Sequence, residues 1–519
     1  MLFQSYEFAL FVICVLILFY AAAGRGRAVV LLAANAAFFG YAAPGAVVWL
    51  AVTVLTTYGC GLFLEKRKTS GKALAAGCII LNLALLAVFR YFPVWEGILN
   101  GFLGGGIRRV RLDVASDWGW VAPLGISFYT LQAVGYLADV AAGKYPAERN
   151  PIHFAIFVSF FPSLSSGPIE RGDRFLPQLK QICGAKRREL WDYDRTVAGL
   201  ISVLWGFFLK MVVADRAAVL VDHLYGLYEN TDSFTMLMAA LFYSGQIFCD
   251  FASYSCIAVG VAQMMGFSLI QNFRQPYLAA GFKDFWNRWH ISLSSWLRDY
   301  VYIPLGGNRR GMWRKERNLM LTFLVSGIWH GGGIQFLVWG ALHGAIQAAE
   351  DVARRILELF AGRKAGTGKA KGSVRQPEES GKRGLASRLL KGLGRVFYGL
   401  FTFAVITVLW IFFRSESVEM ALVCLENLFT KWQGFLVADQ LIFVMGLDQT
   451  EFLIAVLGFQ IVLLFELISE WKKKPAAEWI YASPLPVRFA ICLFLLGTVF
   501  VFGKYGVGFD ASDFIYMGF

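Results

Sequence analysis

The stretch "LTFLVSGIWHGGGIQFLVWGALHG", residues 321–344, places a histidine between two apolar runs. The surrounding segment, 318–350, is long enough for two membrane spans, since one crossing needs roughly 20 apolar residues. His330 therefore lies in surroundings otherwise suited to lipid. Ionisable side chains are rare and costly there, and they are functional candidates by default. The stretch predicts a membrane protein with chemistry inside it.

The composition of the whole chain supports a membrane fold. Of 519 residues, 57% are hydrophobic and 16% are charged, against roughly 25% charged residues in soluble domains; the mean hydropathy is +0.54. The formal charge of +13 resides mostly in short loops, so membrane topology explains it better than a nucleic-acid partner does. The 8 Cys include no CxxC pair, and we expect neither a metal site nor a disulfide framework.

Hydrophobic segments predict an all-α, multispanning helical bundle of about twelve spans, or eleven if one marginal segment fails to cross. Basic loops such as "EKRKTSGK" and "NRRGMWRKER" are predicted to be cytoplasmic, which puts both termini outside. The basic stretch at 104–112 does not fit this scheme. The predicted spans are 7–23, 28–43, 46–63, 73–92, 119–140, 196–220, 234–270, two within 318–350, 397–414, 453–468 and 486–503.

Two segments interrupt the regular pattern. Residues 152–168 are apolar but short and contain prolines, which favours a re-entrant segment; such backbone is tolerated where it is buried or lines a cavity. Residues 281–310 mix Trp, Arg, Asp and His too densely for a lipid-facing helix, and are expected to pack against protein or lie at the interface.

The chain is predicted to divide into four parts. Residues 351–396 are basic and poor in large apolar residues, which indicates a flexible cytoplasmic linker. The four parts are an N-terminal membrane core (1–350), this linker (351–396), C-terminal spans (397–503) and an aromatic extracytoplasmic tail (504–519).

Histidines mark the candidate site. Only five occur in the chain, and His290, His330 and His343 all lie within 281–344. A neutral imidazole accepts a proton, as a general base must, although His330 would also serve as an interhelical hydrogen-bond partner. The glycines at 331–333 favour function, because their missing side chains leave space and exposed backbone for a substrate.

Other polar groups have structural or supporting interpretations. Asp250 lies at membrane depth, where carboxylates are usually paired or exposed to water, and it is a candidate for lining a cavity. Arg288, Arg298 and Asp299 are expected to form cytoplasmic ion pairs rather than to bind phosphates. His343 is interpreted as a residue of helix packing or as a hydrogen-bond partner.

The residues around the histidines carry a family resemblance. "WNRWHISLSSWLRDYVYIPLGGNRRG" followed by "NLMLTFLVSGIWHGGGIQFLVWGALHG" resembles the signature region of membrane-bound O-acyltransferases (MBOAT), in the bacterial branch that includes alginate O-acetyltransferase membrane subunits. Further similarity covers most of the chain, including "PLGISFYTLQAVGYLADV" and "WIFFRSES".

The resemblance implies a bundle that encloses a transmembrane tunnel. It places His330 at the family's invariant histidine and His290 at a second conserved polar position. His330 would take the proton from a hydroxyl that attacks a thioester, and His290 would orient the acyl group, support the ring or stabilise the oxyanion; the two roles are exchangeable. Trp289, Trp329, Gly331 and Asp250 are expected to line or support the tunnel.

The C-terminal "DFIYMGF", residues 513–519, also resembles the end of other members of this branch. One hypothesis is that Tyr516 receives the acyl group and relays it to a partner outside. The alternative is that the aromatic tail only caps the outer mouth of the tunnel, since aromatic rings commonly settle at the interface.

The resemblance implies an O-acetyltransferase of the bacterial cytoplasmic membrane, embedded in membrane lipid. Its expected donor substrate is acetyl coenzyme A, with no bound cofactor, and its expected partners are an exported polysaccharide and an extracytoplasmic acetyltransferase. An alternative is D-alanyl transfer from an acyl carrier protein to teichoic acid. A transporter or flippase is the rival from another class, but the sequence has no inverted repeat with paired broken helices.

Overall fold

The described part of the chain folds into helices joined by turns. A computed structural model describes residues 3–91, 123–309, 311–360, 385–432 and 446–505, and in these ranges there is no β-strand. The helices are α1 (Tyr6–Ala21), α2 (Arg25–Ala42), α3 (Val47–Lys66), α4 (Lys68–Arg90), α5 (Ile126–Ala141), α6 (Pro151–Ser159), α7 (Gly172–Gly184), α8 (Arg187–Leu190), α9 (Tyr193–Phe207), α10 (Asp215–Gly226), α11 (Ser233–Met264), α12 (Phe282–Trp286), α13 (Ile291–Leu297), α14 (Met312–His330), α15 (Ile334–Phe360), α16 (Leu385–Arg414), α17 (Val418–Thr430), α18 (Gln449–Lys472), α19 (Ala476–Tyr481) and α20 (Leu485–Phe502).

Membrane-spanning length and composition are met by seven helices of the described ranges. Helices also occupy the other predicted spans, but these are shorter or less apolar, as in α1, which has 16 residues. The all-α, multispanning class predicted from the sequence is confirmed. The seven are Pro44–Lys66, Gly71–Arg90, Tyr193–Gly226, Ser233–Met264, Gly392–Arg414, Gln449–Lys472 and Leu485–Phe502.

Helices α14 and α15 form a close antiparallel pair, which accounts for the two spans predicted within 318–350. A Cβ atom on Gly340 would lie 2.4 Å from the carbonyl oxygen of Phe323, and one on Gly327 would lie 2.4 Å from that of Phe336. Without a hydrophobic force between helices in lipid, small residues let backbones approach and pack. The glycines therefore hold His330, the last residue of α14, against α15.

A buried ion cluster lies where α9 continues into α10 through a π-helical turn, Phe208–Ala214. The Lys210 ammonium lies 3.0 Å from a carboxylate oxygen of Asp215 and 2.7 Å from one of Asp250. All three side chains are nearly inaccessible to solvent. Because an isolated charge in an apolar interior is costly, this cluster ties the π turn to α11.

The re-entrant prediction for 152–168 agrees with the structure. Helix α6 has nine residues, or about 14 Å of helix, which is too short to cross a membrane. Asn150 caps it by accepting from the N–H of Ile152. The chain then turns through residues 160–167, which are buried against other helices.

The second irregular segment is also broken, as predicted. Between α12 and α13 the chain makes a tight turn, and a π-helical turn, Arg298–Tyr302, follows α13. These short elements pack on protein: Phe285, Trp289 and Leu293 are at most 1% exposed.

Helix occupies both ends of the range assigned to the linker, 351–396. Helix α15 continues to Phe360, and α16 begins at Leu385. The exposed charged residues of α15, such as Arg354 and Arg355, give the end of this helix a linker-like composition. The division of the chain into four parts stays a prediction. Residues 361–384, the basic stretch at 104–112 and the tail with Tyr516 lie outside the described residues, so those predictions stay predictions.

Candidate functional site

His330 lies at the buried end of α14. It is 2% exposed, and its ring centroid lies 4.9 Å from that of Trp329, 5.1 Å from that of Trp339 and 5.3 Å from that of Phe413. All three contacts are edge-on. Such packing fixes the ring plane, because few rotations fit among three large aromatic groups.

The last carbonyl groups of α14 are held by the end of α4. The Arg90 guanidinium donates to the His330 carbonyl oxygen and, at 3.2 Å, to Ser127 Oγ, while the Tyr91 hydroxyl donates to the Ile328 carbonyl oxygen. The last four carbonyls of a helix have no partner within it. Arg90 and Tyr91 supply two of those partners and so fix the position of the His330 backbone.

His290 adopts a left-handed backbone conformation, with φ 44° and ψ 53°, immediately before α13. Such conformations are uncommon for residues other than glycine and persist where the surroundings enforce them. Here Asn272 does so: its carbonyl accepts from the Ile291 N–H at 2.9 Å, and its side chain accepts from Ser292 Oγ at 2.6 Å. The His290 ring is consequently directed into the core, where it is 1% exposed.

Both predicted histidines contact the same indole. The Trp329 ring centroid lies 5.9 Å from that of His290 and 4.9 Å from that of His330. The Trp329 N–H donates to the Ser127 carbonyl oxygen at 3.3 Å, which orients the indole. The structure therefore brings together His290, His330 and Trp329. Trp289, the residue before His290, is buried and stacked on Phe285 with ring centroids 5.5 Å apart.

A cavity of about 540 Å³ leads toward this site along α14. The residues of α14 that line it are Lys315, Leu319, Thr322, Phe323 and Ser326. These positions recur every three or four residues, so they form one face of the helix. The next position on this face, four residues after Ser326, is occupied by His330. From Lys315 to Ser326 the cavity follows about 16 Å of helix.

The mouth of the cavity is basic. Arg274, Lys283, Arg298 and Lys315 line it, with Asp284 and Asp351 as acids. Lys315 is neutralised by Asp351 and Glu316, and Arg298 pairs with Asp299. Within the described residues, Arg274 and Lys283 have no ion pair, which leaves two cations at the entrance.

His343 lies one helical turn beyond Gln347, a cavity-lining residue of α15. It is 2% exposed, and its Nδ1 accepts from the Trp286 indole at 3.3 Å. The predicted packing and hydrogen-bonding role therefore agrees with the geometry. Its Nε2 has no hydrogen-bond partner in the described part of the chain.

The structure assigns different places to the remaining predicted residues. Asp250 faces Lys210 rather than the cavity along α14. The space beside Gly331 is filled, because a Cβ there would lie 2.3 Å from the Phe336 ring; this glycine permits packing and does not leave the opening that the sequence suggested. Arg288 forms ion pairs of 2.9 Å with Asp284 and Glu470, as expected of a structural cation.

Arg90 and Lys210 were not predicted from the sequence as residues of the site or its supports. Each is a single cation at the end of an apolar run or within it, in "LLAVFRYF" and "FFLKMVVAD". An intramembrane charge is itself a signal of function or pairing. Arg90 contacts Ser127 and His330, which lie 37 and 240 residues away in the chain, and Asp250 lies 40 residues from Lys210. The sequence therefore did not reveal these contacts.

Comparison with known proteins agrees with the geometry. The sequence model of the MBOAT, membrane-bound O-acyltransferase family matches residues 50–369, more than half of the chain. The probable alginate O-acetylase AlgI of Pseudomonas aeruginosa is 33% identical over 83% of this chain and 76% of its own. The peptidoglycan O-acetyltransferase of Helicobacter pylori is 30% identical over 67% of this chain and 63% of its own.

A more distant similarity covers less of the chain. The teichoic acid D-alanyltransferase of Bacillus subtilis is 33% identical over 43% of this chain and 57% of its own. The family match, the helical membrane fold and the buried histidine pair lead to one conclusion. The chain belongs to the membrane-bound O-acyltransferase family and is a multi-pass membrane enzyme that transfers acyl groups.

Proposed function

We propose that this enzyme takes an acetyl group from a cytoplasmic thioester, acetyl coenzyme A, and transfers it toward hydroxyl groups of an exported polysaccharide. The observation that carries the proposal is the face of α14 that begins at Lys315 in the basic mouth, lines the cavity to Ser326 and reaches His330. A long, narrow donor fits such a path with its phosphates at the mouth and its thioester at the histidine.

The polar groups along the cavity suit this donor. Arg274 and Lys283 provide cations for phosphate groups at the entrance. Deeper in, Gln347 is 9% exposed, and its Oε1 has no partner among the described residues. The arm of coenzyme A carries amide N–H groups, which would satisfy this buried acceptor. An unsatisfied buried acceptor otherwise costs stability, so the donor supplies what the protein lacks.

The chemistry follows from the buried histidines. His330 accepts the proton of the attacking hydroxyl while the hydroxyl oxygen forms a bond to the thioester carbonyl carbon. The C–S bond then breaks, and the same proton passes from His330 to the departing thiolate. His290, whose ring also contacts Trp329, donates to the oxyanion if its ring carries the proton toward the carbonyl. Aromatic walls limit access of the water that would hydrolyse the thioester.

The acceptor lies on the side of the membrane opposite the donor. The relatives named as alginate O-acetylase and peptidoglycan O-acetyltransferase support a polysaccharide of the cell envelope, and a bacterial cytoplasmic membrane as the location. We propose that Tyr516 or a hydroxyl of an extracytoplasmic partner acetyltransferase accepts the acetyl group first. D-alanyl transfer from a carrier protein remains the second candidate because of the shared region with the teichoic acid enzyme.

The test is acetyl transfer by the purified enzyme in nanodiscs, with radiolabelled acetyl coenzyme A as donor. We expect His330→Ala to abolish labelling of protein and acceptor, and His290→Ala to reduce it by 10²-fold or more, since one oxyanion donor contributes about that factor. His223→Ala, an exposed histidine on α10, is the matched control and should retain activity. Transfer that survives His330→Ala would refute the mechanism.

The donor and the relay are tested in the same assay. The double variant Arg274→Gln/Lys283→Gln should raise KM for acetyl coenzyme A roughly tenfold with little change in kcat, because it removes binding shared by ground state and transition state. Transfer only from an acylated carrier protein would instead support the second candidate. Label that persists on Tyr516→Phe protein would exclude the tyrosine relay without affecting the histidine mechanism.

A further inference from the structure

A groove of about 840 Å³ opens between α1, α9 and α11, on a part of the surface away from the histidines. Its wall is apolar and open, with Ile17 63% and Leu200 52% exposed, and its volume is within the range of small-molecule sites, roughly 300–1,000 Å³. Polar side chains stand only at one end. The lining residues are Leu16, Ile17, Tyr20, Lys186, Arg187, Trp191, Thr196, Leu200 and Met264.

Along the membrane normal, the character of the lining residues changes in the same order as the parts of a phospholipid, from acyl chain to headgroup. Basic loops place the end of α1, the start of α9 and the end of α11 on the cytoplasmic side. Leu16 and Leu200 lie about one turn deeper than Tyr20 and Thr196, since four residues of helix rise about 6 Å. Lys186 lies in the loop beyond them. Apolar, then amphipathic, then cationic surface therefore follow each other toward the cytoplasm.

The cations at the mouth are held in place and lack ion-pair partners. In the described part of the chain neither Lys186 nor Arg187 forms a salt bridge, and the side chain of Glu189 accepts from the Lys186 backbone N–H at 3.2 Å. Arg27 is fully buried and fixes the backbone before Lys186 by donating to the carbonyls of Ile182 and Ala185 at 2.8 and 2.6 Å. Two unneutralised charges are thus presented beside an apolar groove.

The aromatic rings at the interface complete the arrangement. The Trp191 and Tyr20 rings contact edge-on, with centroids 5.3 Å apart, and the Tyr20 hydroxyl donates to the Met264 carbonyl oxygen at 2.5 Å. This bond closes the groove against the end of α11. Trp and Tyr favour the headgroup level of a bilayer, so they fix the depth at which a bound molecule lies.

We infer that this groove binds an anionic phospholipid of the cytoplasmic leaflet, with one acyl chain along Leu16, Ile17 and Leu200 and the phosphate between Lys186 and Arg187. Basic pockets between membrane helices on this side are suited to anionic headgroups. The site is independent of the acyl-transfer chemistry, since none of its residues lines the cavity along α14.

The test is native mass spectrometry of the full-length protein in detergent, titrated with phosphatidylglycerol or phosphatidylcholine. We expect one phosphatidylglycerol to bind tightly and Lys186→Gln/Arg187→Gln to weaken it about 30-fold, which corresponds to about 1 kcal/mol for each basic residue at a membrane surface. Lys472→Gln/Lys474→Gln is the matched control, because it removes two exposed lysines from another cytoplasmic helix end. Equal losses in the two double variants would overturn the proposal.

A second variant separates the groove from general surface attraction. Ile17→Trp fills the apolar wall and keeps both cations; it should lower retention of phosphatidylglycerol by tenfold or more. Binding that is unchanged by Ile17→Trp, or equal for the two lipids, would show that no defined groove site exists. Acetyl transfer by these variants reports on folding and is expected to remain measurable.

Discussion

Replacement of Lys210 by methionine tests the buried ion cluster that joins the π turn to α11. Lys210 lies 3.0 Å from Asp215 and 2.7 Å from Asp250. At an effective dielectric constant of 20 each attraction is about 6 kcal/mol before the cost of removing the charges from water. Lys210→Met leaves two buried carboxylates without their shared cation, and breaking a buried pair in this way costs about 3–5 kcal/mol.

Replacement of Asp250 by asparagine should cost less. It removes one of the two acids that pair with Lys210, so Lys210 keeps a charged partner in Asp215. We expect a loss of about 2 kcal/mol, typical of one hydrogen bond to a charged group. Lys504→Met is the control for loss of a lysine, because Lys504 lies at a partly exposed pair with Glu451 and such pairs contribute about 0–1 kcal/mol.

The assay is thermal unfolding of the purified variants in detergent, together with acetyl transfer by each. The expected order of destabilisation is Lys210→Met, then Asp250→Asn, then Lys504→Met, and Asp250→Asn should retain transfer because its carboxylate faces the lysine. Equal destabilisation by Lys210→Met and Asp250→Asn would refute the charge argument. Loss of transfer by a fully stable Asp250→Asn protein would restore the tunnel-lining or supporting role predicted from the sequence.

Two further predictions concern the placement of His330. Arg90→Ala removes the donor to the His330 carbonyl and should lower kcat roughly 10²-fold, the effect of a displacement of about 1 Å at a reacting group. Arg90→Lys should restore part of the rate. Steady-state kinetics of both variants measure this, and an unchanged kcat in Arg90→Ala would contradict it. Gly340→Val forces a Cβ to 2.4 Å from the Phe323 carbonyl oxygen and should destabilise the protein in thermal unfolding by at least about 1–3 kcal/mol. Gly497→Ala is the control and should be nearly neutral in the same assay, because no atom lies within 4 Å of the new Cβ.

Local sequence patterns were sufficient for the fold class, and they indicated the two histidines that the structure brings to one indole. Long apolar runs with basic loops have few stable solutions in lipid, because every backbone polar group must be satisfied within a helix. The prolines of 152–168 and the polar and charged residues of 281–310 likewise predicted segments that do not span the membrane. Helix ends were less predictable, as the linker shows, because an exposed helical face and a linker share the same polar composition.

Tertiary structure decided which atoms meet. The sequence indicated His330 and His290 as residue types in unusual settings, but it did not show that both rings contact Trp329, nor did it connect Arg90 to the end of α14. It also suggested open space at Gly331, where the Phe336 ring lies. For Asp250 it suggested a cavity-lining role, but the carboxylate pairs with Lys210. Hydropathy depends on each residue alone, whereas close packing and ion pairing depend on distances between residues far apart in the chain.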